Sequence, residues 1–83
     1  MNSDIAWSGH AAYKLKFFGL RECEHEANMK LQGRSRWRKN HGDADWRTKV
    51  ELDEHPYPLM ILLDCPVGGN ELLIEVVTVF ELR

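Results

Sequence analysis

The sequence predicts an α+β fold, with a short N-terminal strand and two helices packed on a small antiparallel sheet of three to four strands. Three observations carry that expectation. Apolar residues recur at helical spacing between Ala11 and Leu31. The period changes to two after Trp46, and β-branched residues crowd the end of the chain. Glycines and prolines fall at the joints between these stretches rather than inside them.

Ile5 and Trp7 alternate with small or polar neighbours, which suits a short strand. Ser8 is a helix N-cap candidate. Ala11, Leu15 and Phe18 then form one helical stripe, widened by Ala12, and Gly19 is placed to end the helix. Residues 21–31 read as a second helix with Leu20, Cys23, Ala27 and Leu31 inward. Its acids lie early and Lys30 late, which suits the helix dipole. Gly33 ends it. Residues 32–45 are polar and form a loop, or an exposed hairpin around Trp37.

Thr48, Val50 and Leu52 alternate with charged neighbours, as an amphipathic strand does. Residues 55–58, His-Pro-Tyr-Pro, make a turn or a sheet edge, because proline cannot donate to a ladder. Leu59–Leu63 is a strand-length apolar run, and Pro66–Asn70 a hairpin connection. Residues 71–83 form the longest element, a strand by its β-branched content, with a helix as the competing reading.

A chain of 83 residues has room for one domain spanning 1–83. It is 43% hydrophobic and 29% charged, so disorder is not expected. So small a core is marginal, and a homodimer is the expected support. No apolar run approaches the ~20 residues of a membrane span. The first residues lack a basic and apolar leader, so a cytoplasmic location and two free thiols, Cys23 and Cys65, are expected. The four histidines and two cysteines fit no zinc spacing, and there is neither a nucleophile elbow nor a P-loop. No metal or cofactor is therefore expected.

The net charge of −2 conceals a polarity. Residues 1–50 hold ten Lys/Arg against six Asp/Glu, a net of +4, while residues 51–83 hold one against seven, a net of −6. The cations concentrate from Lys30 to Lys39, at Arg34, Arg36, Arg38 and Lys39, with Arg47 and Lys49 following, and Trp37 and Trp46 lie among them. Such interleaving suits phosphate contact with base stacking, although tryptophan in a loop also serves to pin it to the core. His10 sits at a helix start with Lys14 one turn on, a pair suited to proton transfer beside a phosphate; the structural alternative is a packed ring bonded to a carbonyl.

The run from Ile5 to Leu20, with His10-Ala11, Lys14 and Gly19-Leu20, followed by Glu22, Glu24 and Glu26 and closed by Val77-Thr78-Val79-Phe80, resembles the family called domain of unknown function 4258. Lys14 stands where that family usually has Arg, and Phe18 where it usually has a second basic residue. The resemblance implies kinship with RelE- and BrnT-like toxins, small RNA-cutting proteins with two helices on an antiparallel sheet. It also implies an RNA-directed site at His10, with Lys14 beside it and Thr78 on the sheet facing it.

The function expected is that of a toxin-like RNA-interacting protein, a metal-independent ribonuclease of that type. Its partner would be RNA, or a protein such as an antitoxin or host target. The alternative is a non-enzymatic inhibitor or adaptor of phage or mobile-element type, docking through one of its charged poles.

Overall fold

The computed structural model describes residues 4–65 and 73–83 and is α+β. Strand β1 (Asp4–Trp7) leads into helix α1 (Gly9–Phe17); a 3-10 turn (Arg21–Cys23) opens helix α2 (Glu24–Leu31). After a second 3-10 turn (Arg34–Arg36) come β2 (Arg38–Lys39), β3 (Trp46–Val50), β4 (Leu59–Asp64) and β5 (Leu73–Glu81). The sheet order is β1-β5-β4-β3-β2. The chain leaves one edge of the sheet, crosses it as two helices, and returns strand by strand from the other edge.

The sheet therefore has five strands and one parallel pair, β1 with β5, where three to four antiparallel strands were expected. The additional strand is β2, two residues long and exposed on both. A strand that short has no period to read, and its Arg-Lys pair gives no apolar signal. The expected exposed hairpin exists as β2–β3, but Trp37 at its foot is buried in the core. The second helix also begins later than residue 21, because its first three residues form the 3-10 turn. The hairpin expected at Pro66–Asn70 lies outside the described residues.

Ser8 caps α1. Its hydroxyl accepts from Ala11 N–H at 3.0 Å and donates to the Val77 carbonyl at 2.9 Å, so the helix start is tied to β5. Gly19, at φ 74°, follows the helix in the left-handed region that glycine enters without strain. Ala11 and Leu15 are buried, whereas Ala12, expected to widen the stripe, is exposed. Replacing Ser8 with Ala removes both hydrogen bonds, and urea unfolding is expected to show a loss of about 1–2 kcal/mol.

The core lies between the helices and one face of the sheet. α1 packs on β5 and α2 on β3. Thr48, Val50, Leu59, Ile61, Leu63, Ile74, Val76 and Val79 alternate inward along three strands. A bulge between Leu62 and Leu63 shifts the β4–β5 register, so that Leu63 faces Val76 while Leu62 faces Thr78. Each strand keeps its apolar side inward across the irregularity, as buried sheets require.

The end of β5 is clasped to the loop before β4. Glu81 accepts from His55 Nε2 at 2.6 Å and from Arg83 Nη2 at 2.8 Å, and the Tyr57 ring lies beside both partners. Leu82 N–H donates to the Pro58 carbonyl at 2.8 Å. The Arg83 hydrogen bond first, and then that from His55, hold the Glu81 carboxyl below its ordinary 4.5 against the opposing effect of burial. A carboxylate held below its unfolded value stabilises the fold above that value and loses its contribution as pH falls through the lowered one. The stability advantage of wild type over Glu81→Gln is thus expected to be full above about pH 4.5 and to vanish in stronger acid, as measured by thermal unfolding across pH.

Candidate nucleic-acid interface

The face of the sheet away from the helices presents an ordered set of side chains. Its register is read directly from the strand pairing. Arg38 on β2 lies opposite Arg47 on β3, Arg47 opposite Leu62 on β4, and Leu62 opposite Thr78 on β5. Since Thr48, Ile61 and Val79 are turned into the core, these four share the open face. Two residues along, Lys49, Met60 and Phe80 form a second row. On the other side Asp64, Glu75 and Ala6 form a third.

The open face thus grades in two directions. Cations occupy the β2–β3 side, and Met60, Leu62, Thr78 and Phe80 occupy the middle. Asp64 and Glu75 bound one end, with the Asp64 carboxylate accepting Asp45 N–H at 2.7 Å. At a strand spacing of about 4.8 Å, the row from Arg38 to Thr78 is about 14 Å long. Phe80 is 40% exposed, an aromatic ring open to solvent on a sheet surface.

Arg38 and Arg47 are exposed, and neither takes part in an ion pair among the described residues. One guanidinium nitrogen of Arg38 donates to the Ser35 and Trp37 carbonyls at 3.2 and 3.1 Å, which holds its side chain at the sheet edge. Like charges directly across an antiparallel pair repel, and an anion between them removes the cost.

The other basic residues are spread around that edge. Arg36 lines a cleft of about 300 Å³ with Lys30, Lys49 and Glu51. Lys39 faces Trp46, and so takes the opposite side of the hairpin from Arg38. Arg34 lies over the Trp37 ring at 5.2 Å. Trp37 is only 8% exposed and its ring sits 6.2 Å from that of Trp46, so it serves as packing under the basic turn. Arg34, Arg36, Trp37, Arg38, Lys39 and Arg47 therefore do not form one surface; Arg38 and Arg47 share the open face.

His10 is exposed in the first turn of α1, and its ring makes no hydrogen bond among the described residues. Lys14 is half-buried, with its ammonium 5.1 Å from the centre of the Phe18 ring and 5.7 Å from that of Phe17. No polar contact joins Lys14 to His10, and none joins His10 to Thr78, among the described residues. Thr78 is turned to the open face while His10 belongs to α1 on the other side of the sheet, so the two do not face each other; the Ser8 bond to the Val77 carbonyl ties only the start of α1 to β5.

The sequence points to Arg47 and Thr78 as site residues and names Lys49 only as part of the basic charge; it offers no signal for Met60, Leu62 or Phe80 as site residues. The run Leu59–Leu63 reads as buried throughout, and only pairing shows that alternate members face outward. No protein-family model, no curated protein and no solved structure matches the chain.

Proposed function

We propose that the chain is a toxin-like RNA-interacting protein that takes unpaired RNA on the open face of its sheet. The observation that carries this reading is the directly opposed pair Arg38 and Arg47, in one row with Thr78 and beside Lys49 and Phe80. Cations along one side suit a phosphate backbone, and exposed Phe80 with Met60 suits the flat face of an unstacked base. The Thr78 hydroxyl can donate or accept toward a ribose or phosphate oxygen.

Cutting without metal requires a group that moves a proton and a cation near the phosphate. His10 is the residue we assign to proton transfer; it belongs to α1, on the helix side of the sheet, so RNA held by Arg38 and Arg47 on the open face would have to pass round the β1 edge, where Ser8 bonds Val77, to reach it. Binding is tested with a labelled single-stranded RNA by fluorescence anisotropy, comparing wild type with an Arg38→Glu, Arg47→Glu double variant. Cutting is tested on total RNA in the presence of a chelator, comparing wild type with His10→Ala. Wild type is expected to cut, and His10→Ala to bind equally but not cut. Equal cutting by both proteins removes His10 from the mechanism, and cutting by neither removes ribonuclease activity and leaves an RNA-binding protein.

A further inference from the structure

The outer face of α1 carries apolar surface that neither the core nor the proposed RNA face uses. Tyr13 and Phe17, one helical turn apart, are 64% and 68% exposed. Their rings stack on each other at 6.5 Å. Large exposed aromatic surface is uncommon on a monomer and is typical of the centre of a protein interface.

Beside Tyr13 the surface opens into a cleft of about 310 Å³, lined among others by Trp7, Ala12, Leu15, Lys16 and Glu24. The Trp7 indole N–H is already satisfied by the Asn28 side chain at 2.8 Å, so its ring is an apolar wall. A protruding aromatic pair thus stands next to a recess of suitable size and chemistry for an aromatic side chain.

Charge selects the occupant. α1 carries Lys14 and Lys16 and no acid, whereas Glu22, Glu24 and Glu26 crowd the start of α2. Lys16, Arg21 and Glu24 all line the cleft, and none of them makes an ion pair among the described residues. A surface holding a knob, a hole, free cations (Lys16 and Arg21) and a free anion (Glu24) is complementary to itself under a two-fold rotation, because each contact then occurs twice with the roles exchanged.

We propose that two copies of the chain associate about a two-fold axis through α1, with Tyr13 and Phe17 of each copy packing at the other's cleft and Lys16 pairing with the partner's Glu24. The outer surface of α1 lies on the far side of the molecule from Arg38 and Arg47, so the dimer leaves the open sheet face free.

Sedimentation equilibrium tests this at concentrations up to about 100 μM. Wild type is expected to be dimeric there, and Phe17→Glu to raise the dissociation constant at least about tenfold, with an unchanged circular dichroism spectrum. The decisive arm mixes two variants. Lys16→Glu alone places acid against acid, and Glu24→Lys alone places base against base, so each is expected to be monomeric. Mixed together, every pair across the axis is again opposite in sign, and a heterodimer is expected. An adjustment within one chain cannot produce that recovery. A monomeric wild type overturns the proposal, as does a dimer indifferent to these substitutions or a mixture that stays monomeric. None of these results bears on RNA binding, which Arg38 and Arg47 test separately.

Discussion

Ile61→Ala is expected to cost about 2–5 kcal/mol and to lower the unfolding midpoint sharply. Ile61 lies in the middle of β4, between Thr48 on β3 and Val79 on β5, and is fully buried. Deleting three of its carbons leaves a void among neighbours that a central strand cannot draw together. A domain of this size commands only about 4–12 kcal/mol in all, so one such loss takes a large part of it. Met60→Ala is the matched control. Met60 is one residue away on the same strand but faces the open side, half-buried, and its loss is expected to cost about 1 kcal/mol or less. Urea midpoints for the two variants measure this difference. If Met60→Ala cost as much as Ile61→Ala, both faces of the sheet would be covered, and the open surface assigned to RNA would not exist.

That difference between adjacent residues also marks where the sequence is legible and where it is not. The cap at Ser8, the stripe of Ala11 and Leu15 and the stop at Gly19 are local matters, settled within a few residues. All three are readable from spacing and residue type. Thr48 and Val50 alternate with Arg47 and Lys49, so the two faces of β3 can be told apart from its own pattern. β4 is different. Leu59-Met60-Ile61-Leu62-Leu63 has no polar member, and its outward residues are identified only by the strands beside it.

β2 was illegible for a related reason. Its two residues become a strand because Trp37 is drawn into the core and β3 supplies a partner, a tertiary effect that outweighs any local preference. The parallel pairing of β1 with β5 joins the two ends of the described fold. It depends on the whole path between them rather than on either segment. The candidate site inherits these limits. Arg38, Arg47 and Thr78 can be named from the sequence, but their shared row depends on three registers, those of β2 with β3, β3 with β4 and β4 with β5. Trp37 shows the opposite case: its position among cations allows either base stacking or pinning of the loop, and burial decides for the packing role.

Reversing Arg47 to Glu is expected to weaken single-stranded RNA binding by at least about a hundredfold, while Lys39→Glu changes it less than about fivefold. The two substitutions alter net charge equally and lie within one residue of each other in the β2–β3 ladder, since Arg38 faces Arg47 and Lys39 faces Trp46. They differ in the side of the hairpin they occupy. If phosphates follow the open face, Arg38, Arg47 and Lys49 each release about one counterion's worth of salt dependence. The slope of log affinity against log salt is then about −2 for wild type, at about −0.7 per contact on a single strand. Arg47→Glu removes its own contact and opposes the phosphate held by Arg38, so the slope should fall to about −1 or shallower. Lys39→Glu should leave it near the wild-type value. Titrations at several salt concentrations separate the two outcomes. Equal losses for both variants would mean that RNA responds only to the overall positive charge of this end of the molecule, and the row built by Arg38, Arg47 and Thr78 would have no part in holding it.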